Sequence, residues 1–254
     1  MSGPLISIAV GIPAYNGERR IGEVIALVRK HVKAEAILVV DDGSRDRTAE
    51  IVAALEDVTL IRHPQNRGYG AAQKTLCAAF LHDPRFDEDD ILVFIHADGE
   101  MRADEIADLC QPLLDDPAVD MAFGSRDVRL ARRAGFVGAG QRRPVWKRVI
   151  DRASTAVLNA LFGLRMTTYF GGFRAMRKRT IRMLQVDALE SGHIFDQQLI
   201  AYAGALTTMV EMPISNVENG SVSRYSLVQA GIRLARFAMT APEFRRSVRA
   251  RRRR

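Results

Sequence analysis

From Leu5 onward, short apolar runs alternate with longer segments whose apolar residues recur at helical spacing. This is the pattern of a mostly parallel sheet joined by crossover helices. Strands are predicted at Leu5 to Gly11, Ala36 to Val40, Val58 to His63, Ile91 to His96 and Val119 to Phe123. Amphipathic helices are predicted between them, at Arg20 to Val32, Arg47 to Glu56, Gly70 to Leu81 and Ala103 to Leu114. The periodicity breaks between Asp127 and Pro144, an Arg- and Gly-rich stretch that reads as a loop or lid. A helix resumes from Val145 to Phe162, followed by an irregular segment at Tyr169 to Ala175 and a helix near Phe195 to Ala203. A final strand, Thr207 to Met212, precedes a polar loop and an amphipathic segment from Leu227 to Met239. No internal repeat interrupts this series. Open α/β sheets bind ligands beyond the C-terminal ends of their strands, so the residues placed there are the first candidates for chemistry.

With 254 residues, 47% of them hydrophobic, the chain can bury one large α/β core with a C-terminal appendage. Cys77 and Cys110 lie in apolar helical contexts without zinc or disulfide spacing, which fits a reducing cytoplasm. The N-terminus does not read as a signal peptide, and no run approaches the 18 apolar residues of a membrane span. The net charge of +7 is local: Arg245 to Arg254 hold seven arginines and no acid, leaving 30 basic and 30 acidic side chains elsewhere. Such a tail is attracted to polyanions, including an anionic membrane leaflet, or is simply solvated.

Four strand ends carry polar groups suited to a ligand. The first is followed by Pro13-Ala14-Tyr15-Asn16, and the second by Asp41-Asp42-Gly43-Ser44 with Asp46 and Thr48 beyond. Carboxylates and an Asn there can meet the donors of a base and ribose, although Asp-Gly-Ser also makes an ordinary turn and helix cap. The fourth strand runs into His96-Ala97-Asp98-Gly99-Glu100, where alternate residues project to one side. A carboxylate with one or two further ligands and diphosphate oxygens can hold Mg²⁺ or Mn²⁺, and a polar turn is the plainer reading. After the third strand, Asn66-Arg67-Gly68-Tyr69-Gly70 leads into a helix carrying Lys74, where glycine permits close backbone approach and the helix start offers N–H groups to an anion.

In their order and placement these segments resemble family 2 glycosyltransferases of the GT-A fold, over roughly Ile6 to Leu227. Gly124-Ser125-Arg126, Trp146-Lys147-Arg148, Gly172-Phe173-Arg174, Phe195-Asp196 and Gly220-Ser221-Val222-Ser223-Arg224 are similar to the polyprenyl-phosphate sugar transferases within that family. The resemblance implies a GT-A domain over residues 1–225, with a donor half at 1–125 and an acceptor half at 126–225, and an amphipathic helix with an Arg-rich tail at 226–254. It assigns the nucleotide sugar to Pro13, Ala14, Tyr15, Asn16, Glu18, Asp41, Asp42, Gly68, Lys74, His96, Ala97 and Asp98. It assigns Mg²⁺ or Mn²⁺ to Asp98, Glu100 and His96. Arg126, Lys147, Arg148, Arg174, Ser223 and Arg224 would bind the acceptor and gather phosphates, with Asp196, Arg126 and Arg174 as catalytic groups.

The chain also departs from that pattern. His96 stands where the family has the first Asp of its DxD and Glu100 where Gln is common, and Tyr69 takes a place where a small residue or Lys is frequent. Thr168 and Gln198 replace acids in the acceptor half. A hydroxyl acceptor needs a general base at neutral pH whereas a phosphate acceptor is already an anion, so these losses point to a lipid phosphate. The expectation is an inverting hexosyl transfer from a GDP-mannose- or UDP-glucose-type donor to a polyprenyl phosphate. A soluble hydroxyl acceptor and a non-catalytic nucleotide-sugar binder are the alternatives. The expected location is cytoplasmic, with peripheral contact at an anionic membrane face through Leu227, Ile232, Leu234, Phe237 and Met239 weighed against packing of that face onto the domain. Nucleic acid is not an expected partner.

Overall fold

The computed structural model describes residues 6–125, 145–169, 171–192, 194–215 and 235–251. Strands β1 (Ile8–Ala14), β2 (Ala36–Asp41), β3 (Val58–Arg62), β4 (Ile91–Phe94), β5 (Met121–Ser125), β6 (Arg174–Arg177) and β7 (Met209–Pro213) form one sheet in the order β3-β2-β1-β4-β6-β5-β7. The pairs β1 with β2, β1 with β4, β2 with β3 and β5 with β7 are parallel, and only β6 runs against its neighbours β4 and β5. The predicted α/β architecture is therefore present. Helices α1 (Ile21–His31), α2 (Thr48–Ala53) and α4 (Ile106–Asp115) cover one face. The other is covered by α3 (Tyr69–His82), α5 (Val145–Phe162), α6 (Lys178–Leu184) and α7 (Phe195–Leu206). With both faces covered, β2 and β4 are buried at every position, which is why they read as unbroken apolar runs rather than alternating ones.

β1 continues three residues past Gly11, the end read from the sequence. Its pairing with β4 ends at Gly11 opposite Phe94, while its pairing with β2 continues through Pro13 opposite Val40 to Ala14 opposite Asp41. A proline is tolerated where the strand is paired on one side only. The segment read as irregular, Tyr169 to Ala175, is corrected at its C-terminal end. β6 begins at Arg174, and its four residues, two of them arginines, are all buried. Arg177 is wholly enclosed and donates to the carbonyl oxygens of Val119 (2.8 Å), Asp89 (2.9 Å), Asp116 (3.2 Å) and Leu113. The last two are at the end of α4, where the final carbonyls have no partner within the helix. Lys178 next to it donates to Asp83 O (3.1 Å) and Phe86 O (2.6 Å).

The basic tail is not simply solvated. Its first part belongs to helix α8 (Ala241–Arg251), which buries Phe244 and Val248. Phe162 of α5 stacks on Phe237 at 4.6 Å and meets Phe244 edge-on at 4.7 Å, while Arg245 donates to Leu161 O at 2.6 and 3.1 Å. Phe237 therefore packs onto the domain, whereas Met239 is 77% exposed. Leu227, Ile232 and Leu234 lie outside the described residues.

Replacing Arg177 strips a charged donor from four carbonyls, two of them in buried bonds. Arg177→Met is expected to cost about 3 kcal/mol, a fall of roughly 6–12 °C in melting temperature. Arg182→Met, which breaks an exposed pair with Glu88, is the control and is expected to change stability by less than about 0.5 kcal/mol.

Candidate functional site

At the C-terminal edge of the parallel strands, the turns after β1 and β2 are tied by a ladder of side-chain-to-backbone hydrogen bonds. The N–H groups of Asn16, Gly17 and Glu18 donate to Ser44 Oγ (2.9 Å), Thr48 Oγ1 (2.8 Å) and Asp46 Oδ2 (3.1 Å). In return, the N–H groups of Arg45 and Arg47 donate to Asn16 Oδ1 (2.9 Å) and Glu18 Oε2 (3.1 Å). Asn16 sits at φ 51°, a left-handed conformation that its short amide tolerates. Gly43 at φ 71° has no alternative, because a methyl there would lie 2.4 Å from the Gln65 backbone. The ladder leaves Tyr15 46% exposed above it.

The two adjacent aspartates have different partners. Asp42 Oδ1 accepts from Arg67 N–H (2.9 Å) and meets His63 Nδ1 at 2.6 Å, and Asp42 Oδ2 accepts from Gly68 N–H (2.9 Å). His63, buried and joined also to Thr75 Oγ1 at 2.9 Å, was not singled out in the sequence, although its place directly after β3 was visible. Asp42 thus holds the loop after β3 instead of presenting free oxygens to a nucleotide. Asp41 is also wholly buried and accepts from Ser44 N–H at 3.1 Å through Oδ1. Its Oδ2 has no hydrogen-bond partner; Arg62 Nε lies 3.2 Å away without the alignment of a hydrogen bond.

Beyond β4, His96 Nε2 is 2.8 Å from the Tyr69 hydroxyl, and His96 Nδ1 lies 3.9 Å from Asp98 Oδ2. Asp98, about half exposed, accepts Glu100 N–H at 3.0 Å through Oδ1. Among the described residues, no three His, Cys, Asp or Glu side chains converge on one point as metal ligands. The donor set still fits a divalent cation that takes most of its ligands from diphosphate and water, since Asp98 offers a carboxylate on the open side of the loop.

On the acceptor side, Arg174 is wholly buried. It donates to Asp196 Oδ1 (2.6 Å) and Gln73 Oε1 (2.9 Å), and its guanidinium lies over Phe94 at 4.5 Å. Burial opposes its charge, but Asp196 and Tyr69 more than offset this and keep its pKa raised. It therefore positions Asp196 and does not gather phosphates at the surface. Lys74, expected at the nucleotide, instead donates to Asp187 O (3.1 Å), Leu189 O and Ser191 Oγ (3.1 Å), pinning the 187–191 loop over the start of α3. That loop packs tightly, for a methyl at Gly70 would lie 2.7 Å from the Ser191 carbonyl carbon. Arg126, Ser223 and Arg224, and the side chains of Lys147 and Arg148, lie outside the described residues.

Residues 9–183 match Glycosyl transferase family 2. An uncharacterized protein of Methanocaldococcus jannaschii is 40% identical over 143 residues, which span 52% of this chain and 54% of that one. UDP-N-acetylglucosamine–dolichyl-phosphate N-acetylglucosaminyltransferase of Methanococcus voltae is 28% identical, covering 88% of this chain and 91% of its own. Undecaprenyl-phosphate mannosyltransferase of Micrococcus luteus is 28% identical over 82% of each chain. Among solved structures, glucosyl-3-phosphoglycerate synthase from Mycobacterium tuberculosis, with Mn²⁺, UDP and glucosyl-3-phosphoglycerate, superposes with a TM-score of 0.62 at 18% identity. The superposition covers 93% of this chain and 78% of that one, and shows the shared fold.

If Asp42 is the clamp of the loop after β3, Asp42→Asn places an amide against the donors it now accepts. A loss of about 2 kcal/mol in unfolding free energy is expected, together with faster hydrogen exchange at Arg67 and Gly68. Unchanged exchange there would show that the loop holds itself.

Proposed function

The chain belongs to glycosyl transferase family 2, and from that premise we propose that it transfers a hexose from a nucleotide-diphosphate sugar of the GDP-mannose or UDP-glucose type to a polyprenyl phosphate, with inversion. Asp41 carries the donor half of this reading. A carboxylate oxygen buried at a strand end without a hydrogen-bond donor is costly. The imide or amide N–H of a uracil or guanine base would satisfy it, beside the exposed ring of Tyr15. In the transfer, the acceptor oxygen forms a bond to the anomeric carbon as the bond from that carbon to the diphosphate breaks. A divalent cation held by Asp98, with its remaining ligands from diphosphate and water, would supply positive charge to the departing diphosphate.

The acceptor half of the reading rests on Asp196. Its Oδ1 is committed to a guanidinium that is itself wholly buried, and neutral Thr168 and Gln198 stand where acids would otherwise serve a hydroxyl nucleophile. A phosphate acceptor arrives as an anion and has no need of a base. Two relatives that cover most of this chain are named for dolichyl- and undecaprenyl-phosphate acceptors, which favours the lipid phosphate over a soluble hydroxyl. Contact with the membrane belongs to the same proposal. Among the described residues no helix is long and apolar enough to cross a bilayer. The exposed apolar side chains Val149, Val157 and Met239, together with the arginines of α8, suit a peripheral approach to anionic lipid.

Incubation with labelled UDP- and GDP-linked hexoses is expected to label undecaprenyl or dolichyl phosphate and to leave saccharides and phosphoglyceric acid unlabelled. Asp98→Ala is expected to lower kcat/KM by at least roughly a hundredfold. Label only in a soluble acceptor would replace the lipid-phosphate reading. On phosphatidylglycerol vesicles, the full-length Arg246→Ser/Arg249→Ser variant is expected to bind several-fold more weakly than wild type. Equal binding would remove the tail from the membrane contact.

A further inference from the structure

The ends of β2 and β3 place an unsatisfied acceptor and an exposed donor next to each other. Asp41 and Arg62 are the last opposed pair of these parallel strands, and residues opposed in a sheet project to the same face. Asp41 is wholly buried. Its Oδ1 accepts from Ser44 N–H at 3.1 Å, whereas its Oδ2 accepts no hydrogen bond. Arg62 Nε lies 3.2 Å from that oxygen, on a side chain that is 59% exposed. The guanidinium offsets the charge of the carboxylate, but the contact lacks the alignment of a hydrogen bond. The lone pairs of Oδ2 and the N–H groups of Arg62 are therefore not spent on each other.

A base edge that meets this pair has to present an N–H beside a carbonyl. Uracil does so with its imide N–H, which has a carbonyl oxygen on either side. Guanine carries its ring N–H between a carbonyl and an amino group, and the amino group brings further donors. An acceptor oxygen with a guanidinium beside it can serve the ring N–H and the carbonyl of either base, yet it offers nothing to the amino group. Asp41 Oδ1 is turned to Ser44 N–H, and the oxygens of neighbouring Asp42 are filled by His63, Arg67 and Gly68. A donor left without an acceptor in a closed site weakens binding. Tyr15 follows Ala14, the residue of β1 opposite Asp41, and its exposed ring can stack on either base, so it does not discriminate.

We propose that Asp41 and Arg62 together select uracil over guanine, with Asp41 Oδ2 accepting the imide N–H and Arg62 leaving its contact with Asp41 to donate to the adjacent ring carbonyl, so that the sugar donor is a UDP-sugar. This rests on the nucleotide-sugar reading above and names its base.

Titration calorimetry on the full chain with Mn²⁺ isolates the base, because the diphosphate and the metal are common to every ligand compared. UDP is expected to bind at least about tenfold more tightly than GDP, and methylation of the uracil imide nitrogen to remove at least about tenfold of the UDP affinity. Arg62→Met, at an exposed position where folding is retained, is expected to weaken UDP about tenfold and GDP much less, so that the preference collapses. GDP bound as tightly as UDP overturns the selection and leaves the donor reading standing. Undiminished binding of the N-methylated UDP overturns the role of Asp41. If Arg62→Met lowers both affinities alike, or neither, Arg62 only neutralises a buried carboxylate and its part in selection is overturned. Failure of both nucleotides to bind removes this inference together with the donor reading.

Discussion

Two carboxylates buried side by side at the end of β2 set the terms for the C-terminal edge of the parallel strands. Neither can remain in a low-dielectric strand end without donors, and the chain satisfies them unequally. Asp42 is filled by backbone N–H groups and by His63, all from the loop after β3. Asp41 keeps one oxygen that accepts no hydrogen bond, with the Arg62 guanidinium 3.2 Å away. Complete satisfaction makes Asp42 a clamp on the loop after β3, while Asp41 retains an oxygen able to accept a further donor. The ladder between the turns after β1 and β2 follows the same logic, since side chains of one turn fill the backbone donors of the other and the cleft edge is set before any ligand arrives.

β6 meets the same problem with cations. Arg174 and Arg177 stand at the two ends of the four-residue antiparallel strand, both wholly buried. A guanidinium in such a place persists only with carbonyl or carboxylate partners. Arg177 caps the end of α4 and ties it to the turns before β4 and β5, while Arg174 reaches across to α3 and α7 and fixes Asp196. Arg174 thereby joins Asp196 of α7 to Gln73 of α3 across the start of β6.

α8 joins this body through aromatic packing, with one arginine, Arg245, donating to Leu161 O. Phe244 and Phe237 fill the space beside Phe162, and the arginines that alternate with these apolar positions are left on the outside. A segment that is unusually basic in composition is therefore half structural, because at helical spacing Ala241, Phe244 and Val248 of α8 form an apolar stripe for the core while Arg246 and Arg249 face the surroundings.

The sequence by itself determined the order of strands and helices on the donor side, because a parallel strand covered on both faces is apolar at every position and its crossover helix is periodic. It also determined that Asp41, Asp42, His96 and Asp98 lie at one edge, since residues at the ends of parallel strands share a side of the sheet. β6 was not legible, because arginines at both ends of a four-residue strand look like surface until the carbonyls that receive them are known. The fate of Lys74, the clamp made by Asp42 with His63, and the meeting of Tyr69 with His96 were equally hidden. Only the tertiary structure decided which polar groups face the cleft and which are consumed inside, because hydrogen-bond satisfaction depends on partners 20 to more than 100 residues away in the chain, and no local pattern records them.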